Sequence, residues 1–203
     1  MKSHMKYLAI LLSMLSLNVL ARTREFIDLS HDYSKETLAW PTTEAFHVTY
    51  SITGQPNLYV ASRDYASNEH AGTHIDAPIH FAKGHIGVSE IELNNLIGPS
   101  IKVDVSDAVK ENHDYQIGIT DFRRWEAAHG KIASGTIILL STGFGNYWPN
   151  WKLYAGTDKV SKESLDQMHF PGLDPKAATW LIEKRRVKAI GIDTFSIDYG
   201  QTK

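Results

Sequence analysis

Two short apolar runs late in the chain, with a helix signal between them, constrain the fold more than any other feature. Residues 136–141 (TIILLS) form a near-continuous apolar run, the pattern of a strand covered on both faces. Residues 187–193 (VKAIGID) read as a second buried strand. Before that second run, Asp174-Pro175 supplies an N-cap and a first-turn proline. The helix they open carries Ala177, Ala178, Leu181 and Ile182 along one face and leads directly into Val187. Strand, helix and strand in this order make a crossover that sets the two strands parallel.

The earlier part of the chain is rich in hairpin signals. Residues 26–30 form a short strand candidate, and residues 47–53 and 58–62 have the β-branched and aromatic content of strands. The turn at 54–57 (GQPN) joins the latter two as a hairpin. Residues 101–105 alternate apolar and polar, as a half-exposed strand does. Thr120 is placed to cap a helix running to His129, and Gly130 to end it. No repeat or linker interrupts residues 22–203, so one mixed α/β domain with a sheet at its centre is expected. The connection between Gly143 and Gly172 is long, without periodicity, and carries Phe144, Trp148 and Trp151. Such a segment is either a lid that binds ligand through its rings or a loop that its rings pack onto the body.

The ends carry their own signals. Lys2 and Lys6 precede an apolar run at 7–20, and Val19-Leu20-Ala21 supplies the small residues of a signal-peptidase site. Residues 1–21 are therefore expected to be a signal peptide, cleaved after Ala21, and the product secreted. A retained anchor is the alternative, but the run falls short of the ~20 residues that span a membrane. At the other end, residues 194–200 read as the loop leaving the last strand, and no covering element follows before Lys203. A domain seldom stops there, so a C-terminally truncated domain is expected.

With Lys2 and Lys6 removed, 19 basic residues face 23 acidic ones, which leaves no basic field for nucleic acid. The absence of cysteine excludes disulfides, thiolate metal sites and cysteine nucleophiles. Histidine is the outlier: ten in all, with His70, His74, His80 and His85 inside sixteen residues. His74 and Asp76 are two apart, so an extended segment points both to one face. Gly72 and Pro78 argue against a helix, and a turn through Ala71, Gly72 and Thr73 folds His70 back beside them. Imidazole and carboxylate without thiol suit zinc, manganese, iron or nickel. Three protein ligands with an open position make a catalytic composition. His80 lies outside the triplet and is suited to proton transfer beside the metal. His85 is assigned no role.

The string His70-x-Gly72-Thr73-His74-x-Asp76-x-Pro78-x-His80 resembles the signature of the metal-dependent cyclase family, which contains bacterial-type kynurenine formamidases and isatin hydrolases. The stretch Ile27-Asp-Leu-Ser-His31, Thr142-Gly143, Phe170-Pro-Gly-Leu173 and Gly191-Ile-Asp-Thr-x-Ser-x-Asp198 are similar to its other landmarks. The resemblance implies a swivelling β/β/α fold with a central mixed sheet and a homodimer. It also implies a metal-dependent hydrolase of aromatic amides, of the arylformamidase type that takes N-formylkynurenine to kynurenine and formate in tryptophan catabolism. An isatin-type lactam hydrolase, or an inactive truncated form acting as a binding protein, is the alternative. By motif position His70, His74 and Asp76 would hold one or two divalent ions, zinc or manganese, with Asp76 able to bridge them, and His80 would move protons. Phe144, Trp148 and Trp151 are the substrate-binding candidates. Family members draw a further histidine and glutamate from beyond the Gly191 landmark; Asp64, His31 and His169 are substitutes that no spacing favours.

Overall fold

A computed structural model describes residues 26–202. The expected signal peptide, residues 1–21, lies outside the described residues. The chain divides into two units, Met1–Ser30 and His31–Lys203. Of the first, residues 26–30 are described and have no regular secondary structure. The strand expected there is absent: the Asp28 carboxylate accepts the Ser30 N–H at 2.9 Å, a local turn that competes with a strand ladder.

The second unit runs β1 (His47–Gln55), β2 (Leu58–Ala66), α1 (Leu93–Leu96), β3 (Ser100–Asp104), α2 (Ser106–Glu111), β4 (Gln116–Ile117) and α3 (Ile119–His129). It continues with β5 (Ile137–Ser141), α4 (Trp151–Ala155), β6 (Gly172–Leu173), α5 (Pro175–Trp180) and β7 (Ala189–Ile192). The hairpin expected from the sequence is an antiparallel β1–β2 ribbon, longer than expected, closed over Pro56-Asn57 with Asn57 at φ 65°. Strands β3, β5 and β7 form a parallel sheet in that order, and β4 pairs parallel with β6.

The central sheet is thus parallel rather than mixed. Both neighbours of β5 are reached through long connections that include helices, and such connections return a strand in the same direction. The antiparallel pairing is confined to the separate ribbon. β7 is a half-buried edge strand, not the buried one expected, because β5 alone has partners on both sides. Even β5 alternates, with Ile138 and Leu140 buried and Ile137 and Leu139 half-buried.

Helix starts follow side-chain chemistry. In α5 the Asp174 carboxylate accepts the Lys176 and Ala177 N–H groups at 2.7 and 3.1 Å, as expected of an N-cap before proline. In α3 the cap is Gly118 rather than Thr120. Asp121 reaches back to the Gly118 N–H at 2.9 Å, so the helix begins two residues earlier. Gly130 ends it at φ 89°.

The core collects Val103 from β3, Ile138 and Leu140 from β5, Phe122 from α3, Ala177 from α5 and Leu181 just beyond it. The long connection contributes Phe144, Tyr154, Met168 and Phe170 to the same core and contains two 3-10 turns besides α4. Residues after β7 fold back on β6, with Leu173 N–H donating to Ile197 O at 2.7 Å. A Cβ on Gly172 would lie 2.1 Å from Tyr199 N, so only glycine admits this approach.

Candidate metal centre

The turn expected at 71–73 forms, and Gly72 makes it by adopting φ +65°, a value that disfavours any side chain. A Cβ there would also meet Thr37 Cγ2 at 3.1 Å. Residues 74–77 continue without helix, and Pro78 opens the one-turn 3-10 segment Pro78–His80. These two devices carry three histidines to one place. His70 Nδ1 lies 2.6 Å and His74 Nε2 3.2 Å from Asp76 Oδ1. The His80 ring sits 3.9 Å from the His70 ring, centroid to centroid.

Among the described residues, His70, His74 and Asp76 are the group whose ligand atoms converge, all within 4.8 Å of one another. The 3.2 Å separation of His74 and Asp76 is close to that of two ligand atoms around a zinc ion bound at about 2.0–2.1 Å. His74 Nδ1 is 2.9 Å from the Gly72 carbonyl, so its N–H donates there and the ring is held with Nε2 turned toward Asp76. The His74 and His70 hydrogen bonds hold Asp76 down to about 2, against the burial that raises it. Its carboxylate is therefore charged at any neutral pH. Reciprocally, the bond to Asp76 raises His74 above its ordinary value, although burial opposes this. Two imidazoles and one ionised carboxylate, with no thiol, form a donor set that fits zinc or manganese.

The cluster opens into a cavity of about 290 Å³ whose other walls include Trp40, Phe81 and Phe195, with the hydroxyl residues Thr43 and Ser196. The three aromatic residues proposed from sequence do not line it. Phe144 is 1% exposed in the core, so its substrate-binding assignment is corrected: it packs against His113 and Tyr147. Trp148 stacks on His31 at 4.4 Å. Trp151 stands behind the cavity wall, 5.4 Å from the Phe195 ring, and its indole donates to Lys159 O. The ring of His31 is engaged with Trp148, His169 pairs with Asp114 at 2.7 Å, and Asp64 faces Tyr50 in the ribbon, so none of the three joins the cluster. Trp40 and Thr43 were missed because their segment lacks periodicity. Phe195 and Ser196 stood in a recognised landmark, but nothing local shows which way that loop turns.

The family model described as "Putative cyclase" matches residues 27–199. The chain belongs to the cyclase family. It is 28% identical over 189 residues to the isatin hydrolase of Roseibium aggregatum, covering 90% of this chain and 66% of that relative. It is 29% identical over 114 residues to the kynurenine formamidase of Bacillus cytotoxicus, covering 54% of each. Among solved structures, isatin hydrolase A from Ralstonia solanacearum superimposes with a TM-score of 0.75 at 25% identity, over 97% of this chain and 74% of that one. This cyclase-family chain thus spans between about half and two thirds of the length of these two curated relatives. No helix among its described residues is long and apolar enough to cross a membrane.

Proposed function

We propose that the chain is a metal-dependent hydrolase of small aromatic amides, with His70, His74 and Asp76 as metal ligands. The observation that carries this is their convergence at the mouth of a cavity walled by Trp40, Phe81 and Phe195. A divalent ion held there supplies the Lewis acidity that activates water and polarises a carbonyl. The chain's own residues do the rest. The three rings accept the flat face of the substrate and exclude water around it. Thr43 and Ser196 offer hydroxyls to the substrate's polar groups. His80, beside His70, takes a proton from the attacking water and returns it to the leaving nitrogen as the carbon–nitrogen bond breaks. The products are a carboxylate and an amine.

The kynurenine formamidase and isatin hydrolase relatives name the two substrates to try: the open-chain formamide N-formylkynurenine and the cyclic lactam isatin. We assign the formamide first. The swivelling β/β/α fold, secretion after cleavage at Ala21 and a homodimer belong to the same reading.

The test is metal analysis and turnover of the purified chain. Zinc- or manganese-loaded protein is expected to hydrolyse N-formylkynurenine, to stop on chelation and to recover on reloading. His80→Ala should keep the metal and lose about 10²- to 10⁴-fold in rate. Asp76→Ala should lose the metal. Chelator-resistant hydrolysis, or equal metal content in wild type and Asp76→Ala, removes the reading.

A further inference from the structure

The ligand turn has almost no core beneath it. Of residues 70–76 only Ala71 is buried, so packing cannot be what shapes the turn. Hydrogen bonds do so instead. The Tyr33 hydroxyl donates to Ala71 O at 2.8 Å and lies 3.3 Å from Thr73 O, which makes its single proton a bridge between the two carbonyls that flank Gly72. Its ring covers the turn from the same side: Tyr33 Cζ lies 3.3 Å from the position a Gly72 Cβ would take. A backbone bond adds to this, from His31 N–H to Thr73 Oγ1 at 2.9 Å.

Tyr33 is itself propped. Its ring meets Phe46 edge-on at 5.7 Å, and Phe46 meets Tyr65 of β2 at 5.3 Å. The exposed ribbon is therefore connected through two aromatic contacts to the turn that orients His70 and His74.

We infer that Tyr33 is a positioning residue for the metal centre, setting the geometry of the Ala71–Thr73 turn through its hydroxyl while touching neither metal nor substrate. The inference rests on the metal reading above and adds a residue outside the signature string. Partners that orient metal ligands without binding the ion typically cost 10- to 100-fold in metal affinity when removed. Water reaches the freed Thr73 carbonyl, because Thr73 is exposed, while the carbonyl of buried Ala71 loses its donor at a modest cost to the fold.

Tyr33→Phe removes only the oxygen and keeps the ring contacts. Zinc titration by calorimetry is expected to show affinity at least about tenfold weaker than wild type. The cobalt-substituted protein should show a shifted ligand-field absorption spectrum, and the metal-free melting temperature should fall by only a few degrees. Tyr59→Phe, on the ribbon, should change none of these. Zinc affinity within twofold of wild type and an unaltered cobalt spectrum would overturn the inference and leave the metal reading standing. A fall in metal-free melting temperature large enough to account for the lost affinity would make Tyr33 a packing residue and overturn it too. A wild-type chain that takes up neither ion overturns both.

Discussion

The stretch from His31 to Ile97 and the stretch from Gly98 onward are built on opposite principles. In the first, Ala39 and Ala71 are the buried apolar side chains, while Tyr50, Tyr59, Phe81 and Leu93 stand exposed. In the second, Phe122, Ile138, Phe144, Phe170 and Leu181 are enclosed, and the exposed large apolar side chains are Leu153, Val160 and Ile182. Yet the convergent candidate ligands His70, His74 and Asp76 lie in the first. The later stretch is a packed scaffold; the earlier one holds its shape by directed hydrogen bonds, from Tyr33 to the turn and from the His70 N–H to Asn68 Oδ1 at 2.8 Å. Packing is non-directional and tolerates a range of arrangements, whereas a ligand set needs fixed angles. The two walls meet at the cavity, where Phe195 and Ser196 come from the scaffold and His70 to Phe81 from the hydrogen-bonded segment.

Substitutions on the two sides should separate them by size of effect. Phe122→Ala empties a fully buried position in the scaffold and should cost about 3–5 kcal/mol in denaturant unfolding. A cost near zero would mean that the later stretch is not the packed half. Next comes the ion pair that ties α3 to the segment after α5. Arg185 contacts the Glu126 carboxylate at 2.6 and 2.8 Å, and the two side chains are only 15% and 13% exposed. The Arg185 bond lowers the Glu126 carboxyl below its ordinary 4.5, with a smaller contribution from the Ile132 N–H and burial opposing. A lowered folded value means stability that is fully present above about 4.5 and lost as pH falls through the lower folded value. Glu126→Gln should therefore cost about 2 kcal/mol at neutral pH. The gap from wild type should close in acid, as melting temperatures across pH 7 to 3 will show; a gap independent of pH breaks the assignment. Smallest is Tyr59→Ser on the ribbon, where 79% exposure predicts a change within about 0.5 kcal/mol by the same unfolding measurement. A loss of several kcal/mol would show that the ribbon is covered in solution and would erase the contrast.

Legibility in the sequence also divides along this line. The β5–α5–β7 crossover was readable because an apolar run, an Asp-Pro start and a second run are local signals, each tied to backbone chemistry. The α3 start was misplaced by two residues because Thr120 and Asp121 both carry capping side chains, and the Gly118 N–H that Asp121 satisfies is visible only in three dimensions. The convergence of His70, His74 and Asp76 was readable because they lie within seven positions and Gly72 forces the turn. The aromatic wall was not. Phe144, Trp148 and Trp151 had the right chemistry for a substrate surface, but β5 delivers Phe144 into the core, and Phe195 takes the place at the cavity.

What the sequence determined by itself is whatever depends on neighbours along the chain: the family, through an eleven-residue string; the absence of thiol chemistry; the parallel crossover; and the turn at Gly72. What only the tertiary structure decided is which distant segments meet. Trp40 and Phe195 face one cavity although 155 positions separate them, and Tyr33 reaches across 38 residues to Ala71. Local conformational preference is encoded residue by residue, while a contact between remote segments is set by how the whole core closes, which no single stretch of the chain carries.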